Sequence, residues 1–139
     1  MSTDPATPFL EGLRVRLETL AASVDPASFS GRGIVIPAGG AQVFVNAYVL
    51  ISVLRRHLHC ALPIEVWHFG GGELSPRMKS LLRALDVETV DAAPLIREKG
   101  ANVRDAWQLK PFALLWSRFA EVLLLDADQV PRARSHGSL

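Results

Sequence analysis

Two patterns of hydrophobic and polar positions follow one another along the chain. Short apolar or β-branched runs, typical of buried strands, span 33–37, 63–69, 87–90 and 121–125. Longer stretches with apolar residues every three or four positions, typical of helices, span 41–58, 76–85 and 109–119. The polar segment 91–106 gives no firm assignment. Strands that alternate with helices are typical of right-handed βαβ units, so the pattern predicts an α/β fold with a mostly parallel sheet.

The loops that follow three of these strands carry unusual residues. Gly39 and Gly40 follow the first predicted strand, a run of three glycines at 70–72 follows the second, and Asp126-Ala127-Asp128 follows the last. Ligands of parallel sheets bind beyond the carboxyl ends of the strands. We therefore expect these three loops to share one rim of the sheet.

Asp126 and Asp128 are the strongest candidates for chemistry. They place two carboxylates at spacing i, i+2 where an apolar strand emerges into a loop. Carboxylate oxygens suit a hard divalent cation such as Mn²⁺ or Mg²⁺, which could bridge to the phosphates of a ligand. The alternative is a solvated turn with incidental acidic residues.

Lys110 and the glycines after the first strand are weaker candidates. Lys110 is predicted at the start of the last helix, with Pro111 in its first turn, and its ammonium could reach a phosphate near the same rim. A solvated surface lysine is the alternative. Gly39 and Gly40 would let a nucleotide approach the backbone closely, or they form a plain turn. No G-x-G-x-x-G fingerprint follows the strand.

Composition narrows the class of protein further. The formal net charge is +1, so the overall electrostatic field of the protein does not favour binding of nucleic acid. Cys60 is the only cysteine, which excludes an internal disulfide and a zinc site made of several thiolates. The N-terminus lacks the features of a secretory signal, and no apolar run is long enough to span a membrane. We therefore expect a soluble, cytoplasmic protein.

Four stretches together resemble the fungal Mnn1-type α-mannosyltransferase family. The similarity extends from about Gly31 to Pro131, which is most of this chain but only the first part of the family's catalytic domain. The limits of the four stretches are 33–40, 62–67, 108–115 and 119–131. The last two, which are adjacent in sequence, are the most specific. The same Lys-containing helix followed by a strand and Asp-x-Asp also resembles glycogenin-like retaining transferases.

The resemblance implies a GT-A fold of the Rossmann-like nucleotide-diphospho-sugar transferase type and a transferase that requires Mn²⁺. The donor would be a nucleoside-diphosphate sugar, usually GDP-mannose, and the acceptor a glycan or other hydroxyl. Asp128 would ligate the metal directly, Asp126 would hold the metal or the ribose, and Lys110 would contact the diphosphate. The residues beside the nucleotide base would be Pro37, Ala38 and Gly39. The resemblance assigns no catalytic residue in this chain.

The resemblance also implies a division of the chain. Residues 1–30 are expected to form an amphipathic helix and linker, 31–131 the nucleotide-sugar-binding subdomain, and 132–139 an atypical short tail. The family pattern continues beyond Asp-x-Asp into an acceptor half, and full-length fungal relatives are Golgi membrane proteins. We therefore expect a fold truncated after the Asp-x-Asp strand, with little or no sugar transfer.

Two alternatives to an active transferase remain open from the sequence. One is a catalytically inert nucleotide-binding fragment of such an enzyme. The other is a phosphatase similar to the haloacid dehalogenases, whose nucleophile also lies in an Asp-x-Asp that follows an apolar strand. Val130 partly matches the residue expected after the second aspartate of that motif.

Overall fold

The computed structural model describes residues 4–131 as a parallel sheet with helices on both faces. The strands are β1 (Arg32–Pro37), β2 (Ile64–His68), β3 (Val87–Asp91) and β4 (Glu121–Leu124). The α-helices are α1 (Ala6–Ser23), α2 (Ala41–Ser52), α3 (Pro76–Arg83), α4 (Ala92–Lys99) and α5 (Ala106–Trp116). This arrangement confirms the predicted α/β class and is consistent with a Rossmann-like fold of the GT-A type.

The strand order places a reversal of the chain's path beside β1. The order is β3-β2-β1-β4, and every neighbouring pair is parallel. The chain moves outward from β1 through β2 to β3, and then returns across the sheet so that β4 pairs with the other side of β1. Such a reversal leaves a crevice between the carboxyl ends of the two strands, which is the usual ligand site of open α/β sheets.

Alternation along the strands divides the core into two apolar clusters, one on each face of the sheet. Ile34 and Ile36 of β1 pack with α2 and α3. Val35, which lies between them in sequence, points to the opposite face and packs with Trp67, α4 and α5. Strands that are buried on both faces read as continuous apolar runs, which explains why β1 was predicted in the right place.

Side-chain caps set several helix boundaries. The Ser75 hydroxyl accepts a hydrogen bond from Met78 N at 3.2 Å and begins α3. Asp91 begins α4, and Gly100 ends it in the left-handed conformation, with φ 61°. α4 lies within the segment that the apolar pattern left unassigned. The reason is that only Ala92 and Ile96 of this helix are buried, which is too few for a clear period.

The last helix begins earlier than predicted. Asp105 accepts a hydrogen bond from Gln108 N at 2.8 Å, so that α5 starts at Ala106 and ends at Trp116. Lys110 therefore lies in the second turn, and Pro111 is inside the helix and not in its first turn. Pro111 lacks an N–H group, so the carbonyl of Trp107 receives no helical hydrogen bond from it.

The first two helices also differ in detail from the prediction. The predicted helix 41–58 consists of α2 followed by a π-helical turn, Val53–His57. Val43 of α2 is 39% exposed, because it lines the opening at the rim of the sheet. α1 forms as predicted, but none of its residues is buried. No helix within residues 4–131 has the length and apolarity required to cross a membrane.

Candidate functional site

The candidate site lies in the crevice between the carboxyl ends of β1 and β4. The backbone N–H of Leu125, just after β4, donates to Val35 O at 3.0 Å and continues the pairing of the two strands to the rim. Beyond this point the chain after β1 turns toward α2, whereas the chain after β4 enters the Asp-x-Asp turn. The two segments therefore form opposite walls of one opening.

The turn after β4 directs both aspartates away from the core. Ala127 between them is only 8% exposed and packs into the apolar cluster under α2. Gln129 closes the turn, since its N–H donates to Asp126 O at 3.1 Å and its Oε1 accepts from Asp126 N at 3.0 Å. With Ala127 as the buried anchor, the side chains on either side of it line the same cavity.

Lys110 reaches the same place from α5. Its Nζ lies 2.5 Å from Asp126 Oδ1, and 4.4 Å from the ring centroid of Trp107. The ammonium is thus held between a carboxylate and an aromatic face, an arrangement that attracts a cation from both sides. Its side chain remains 26% exposed, so an anion entering the cavity could contact it.

These charged groups line a cavity of about 350 Å³. Pro37 at the end of β1 and Val43 and Asn46 of α2 form one wall. Trp107, Lys110, Asp126 and Asp128 contribute the other. The cavity therefore combines an apolar floor with one ammonium and two carboxylates.

A second cavity, of about 130 Å³, lies beside it along the rim. Pro37, Val43 and Ala106 line both cavities, so the two are neighbouring parts of one crevice. The walls of the smaller one include Ala38, Gly39, Phe69, Glu73, Arg104 and Asp105. Its charged groups are thus two carboxylates and one guanidinium.

Glu73 is held against the end of β1. Its Oε2 accepts a hydrogen bond from Phe69 N at 2.6 Å, and its backbone carbonyl accepts one from Gly40 N at 3.2 Å. A Cβ atom at position 39 would overlap the Glu73 carboxylate, so this close approach requires glycine there. Gly40 itself has φ 83°, which glycine adopts without strain.

Asp91 binds the backbone of the loop that contains three glycines. Its Oδ1 accepts hydrogen bonds from Gly70 N and Ala93 N, each at 3.0 Å. Burial alone would raise the pKa of Asp91, but these two bonds, together with His68 and Lys79, lower it below its ordinary value. The ionised carboxylate therefore joins the loop after β2 to the start of α4.

The donor set of the larger cavity fits a divalent cation that is shared with a ligand. Within residues 4–131, no group of three or more His, Cys, Asp or Glu side chains is arranged to hold a metal ion. Asp126 and Asp128 supply two carboxylates, and Mg²⁺-type ions are commonly held by one or two carboxylates together with substrate phosphates. These residues suit a cation that binds with a phosphate-bearing ligand better than one that binds alone.

The structure brings together most of the residues predicted from the sequence. Lys110, Asp126, Asp128 and Pro37 line the larger cavity, and Pro37, Ala38 and Gly39 line the smaller one. Sequence reasoning missed several side chains of the crevice and one of the Asp-x-Asp turn. They include Val43, Asn46, Phe69, Glu73, Arg104 and Asp105 in the crevice, and Gln129 in the turn. Only the position of Gln129, three residues after Asp126, gave a local signal, because it suits a turn-closing side chain.

Comparison with known proteins gives one family. Residues 31–135 match the family described as "Mannosyltransferase putative", which covers the sheet, the crevice and the Asp-x-Asp turn. A comparison with curated proteins found no match.

Proposed function

Because the chain belongs to this mannosyltransferase family, and therefore to the glycosyltransferases, we propose that it binds a nucleoside-diphosphate sugar in the crevice between β1 and β4. The proposed donor is GDP-mannose, and the reaction is transfer of mannose to a hydroxyl group of a glycan acceptor. The proposed cation is Mn²⁺ or Mg²⁺. The closer relationship to the Mnn1-type enzymes is part of the same proposal.

One observation carries the proposal: Lys110, Asp126 and Asp128 converge on a single cavity at the reversal point of the sheet. A diphosphate needs positive charge, and a divalent cation needs oxygen ligands. The cavity offers an ammonium for the first and two carboxylates for the second.

Each of the three side chains has a distinct proposed role. Asp128, which is exposed, would hold the cation directly, and Asp126 would complete its protein ligands or contact the ribose. Lys110 would turn from Asp126 toward the diphosphate when the ligand enters. The ammonium would then stabilise the negative charge that develops on the leaving diphosphate, and the bound cation supplies Lewis-acid stabilisation of the same charge.

The smaller cavity would receive the nucleoside end of the donor. It adjoins the phosphate region through Pro37, Val43 and Ala106, so one extended ligand could occupy both cavities. The base would lie against Pro37, Ala38 and Gly39. The absence of a side chain at Gly39 lets the Glu73 carboxylate approach this wall closely.

Calorimetric titration of GDP with and without Mn²⁺ tests the proposal. We expect GDP and Mn²⁺ each to bind more tightly in the presence of the other, and Asp128→Asn to remove this coupling. Asp86→Asn is the matched control, because it removes one carboxylate just before β3, near the opposite end of the strands. Equal GDP affinity with and without Mn²⁺ would contradict the proposal.

The transfer step needs its own measurement, since an inert nucleotide-binding protein would give the same titration. Mannose transfer from GDP-mannose to a mannoside, lost in Asp128→Asn, would distinguish the transferase from the inert alternative. Release of inorganic phosphate from a phosphomonoester would instead indicate phosphatase chemistry. The family match favours the transferase over that phosphatase.

A further inference from the structure

Glu73 is one of two fixed acidic groups of the smaller cavity, the other being Asp105, whose carboxylate caps α5. Glu73 comes from the loop after β2 and is held by the Phe69 N–H, which donates to Oε2 at 2.6 Å. Its own backbone carbonyl accepts a hydrogen bond from the N–H of Gly40, so the side chain and the backbone of the residue are both held in place. A carboxylate positioned in this way loses little conformational freedom when it binds a ligand.

The same carboxylate has unused capacity to accept hydrogen bonds. Within residues 4–131 its Oε1 accepts none, and no ion pair there involves Glu73. An ionised carboxylate has about four acceptor positions on its two oxygens. Glu73 can therefore accept two further N–H groups side by side while it keeps its bond to Phe69.

We propose that Glu73 determines the base specificity of the site by binding the N1–H and N2–H₂ groups of guanine. This inference rests on the proposed function, which places the nucleoside in the smaller cavity. Guanine presents two adjacent donors on one edge, and a carboxylate accepts both at once. Adenine presents an acceptor beside its amino donor, and uracil presents one donor between two acceptors. In both bases an acceptor would therefore face the second carboxylate oxygen, which would repel it.

Arg104 supplies the complementary charge in the same cavity. Its Nε donates to Asn102 Oδ1 at 2.8 Å, and its backbone N–H donates to Gln108 Oε1 at 2.7 Å. The guanidinium keeps further donors for the O6 and N7 acceptors of guanine. The carboxylate of Glu73 supplies acceptors and the guanidinium of Arg104 supplies donors. Guanine carries the complementary donors and acceptors on neighbouring edges.

Three nucleotides titrated in the presence of Mn²⁺ test the inference. We expect GDP to bind about tenfold to a hundredfold more tightly than inosine diphosphate, which lacks only the 2-amino group, because that group makes a hydrogen bond to a charged acceptor. UDP should bind at least as weakly as inosine diphosphate. Equal affinities for all three in the wild-type protein would overturn the inference.

Glu73→Gln separates base reading from a purely structural role. The amide keeps a carbonyl acceptor for Phe69 N, but it replaces one acceptor by a donor. We expect the preference for GDP over inosine diphosphate to disappear, while binding of both stays dependent on Mn²⁺. Glu98→Gln on α4 is the control and should keep the wild-type preference. A retained preference in Glu73→Gln would overturn the inference.

The two proposals fail in different ways. If all three nucleotides bind equally and with Mn²⁺, the site binds a diphosphate and Glu73 does not read the base. If none of them binds with or without Mn²⁺, the proposed function is wrong, and the inference falls with it.

Discussion

At the scale of single residues, the Lys110–Asp126 pair contributes little to the stability of the fold. The two charges are 2.5 Å apart, but the Asp126 side chain is 46% exposed, and ion pairs in contact with water contribute about 0–1 kcal/mol to stability. In the absence of a ligand, each of the two charged groups holds the other in position at the cavity. A diphosphate would replace Asp126 as the partner of Lys110, and a cation would replace Lys110 as the partner of Asp126. Binding would therefore require little further desolvation of these two side chains.

Replacing Lys110 tests its assigned contact. Lys110→Ala should weaken Mn²⁺-dependent GDP binding about ten- to hundredfold, which corresponds to a charge-assisted hydrogen bond of about 1.5–3 kcal/mol. Lys110→Arg should restore only part of this, because the planar guanidinium is a poor substitute for a compact ammonium. The measurement is calorimetric titration with GDP at fixed Mn²⁺.

Lys99→Ala is a closely matched control. Lys99 also lies over a tryptophan ring, 4.3 Å from the centroid of Trp116, but it is on α4 and does not line the larger cavity. Its removal should leave GDP binding unchanged. Identical affinities for the wild type and Lys110→Ala would show that Lys110 is only a surface residue.

Glu65 is a buried carboxylate far from the crevice, with a pH dependence of its own. Burial raises its pKa above the ordinary 4.5. A hydrogen bond from Trp67 Nε1 at 2.9 Å and the charge of Arg118 oppose the rise, and nearby Glu88 adds to it. A raised pKa in the folded state means that the ionised form is the less favourable one. The stability that Glu65 contributes is present below pH 4.5 and is lost as the pH rises through the raised value.

Glu65→Gln should make this loss visible. The amide keeps an acceptor for Trp67 but does not ionise. We therefore expect the free energy of unfolding of the wild type, relative to that of Glu65→Gln, to fall as the pH rises from 4 toward neutrality. Urea unfolding of both proteins across this range measures the difference. A difference that is constant with pH, or one that grows with pH, would contradict the assignment.

At the scale of secondary-structure elements, the strands were easier to predict than the helices. β1 and β2 are buried along almost their whole length, and β1 has the compact apolar signature Ile34-Val35-Ile36, whereas β4 exposes Glu121 and Leu123 on one face but keeps an apolar run. The prediction of the helices depended on local features, namely capping residues and the number of buried side chains. α4 was missed because it buries few residues, and α5 was displaced because the cap at Asp105 outweighed the apparent signal of Pro111.

The same contrast holds for the candidate site. Asp126, Asp128 and Lys110 were identified because their residue types and spacing point to phosphate and metal chemistry. Glu73 and Arg104 come from loops that are distant in sequence and approach Gly39 only through the folding of the chain. Val43 has the same helical spacing as the buried residues of α2, and spacing alone cannot distinguish a core position from the wall of a cavity.

Asp91 joins three elements, and its loss should be measurable. Asp91→Ala removes the cap of α4 and the acceptor for Gly70 N, and should cost about 1–2 kcal/mol at pH 7. Asp91→Asn keeps an acceptor and should cost less. Because the pKa of Asp91 is lowered, its contribution is present above the ordinary value of 3.8 and is lost as the pH falls through the lowered one.

Urea unfolding of the wild type and Asp91→Ala at several pH values measures this contribution. The gap between the two proteins should be widest near neutrality and should narrow below pH 3.8. If the gap were absent at pH 7, Asp91 would not be joining the glycine loop to α4.

At the scale of the whole molecule, the order of the strands determines where the chemistry can occur. α2 and α3 cover one face of the sheet, and α4 and α5 cover the other. The only reversal of the chain's path within residues 4–131 lies beside β1, where the end of β1 meets the turn after β4. The separation of residues 1–30 from 31–131, and the expectations for residues 132–139, stay predictions, and 132–139 lie outside the described residues.

The central claim is that a nucleoside diphosphate and a divalent cation bind together between β1 and β4, and paramagnetic NMR tests it most directly. A substoichiometric amount of Mn²⁺, added to ¹⁵N-labelled protein with GDP, broadens the amide signals nearest the bound ion. We predict the strongest broadening at Asp126, Ala127 and Asp128, with weaker broadening at Lys110 and none beyond the nonspecific level at Asp86. Broadening centred on another part of the molecule, or the same weak broadening with and without GDP, would contradict the claim.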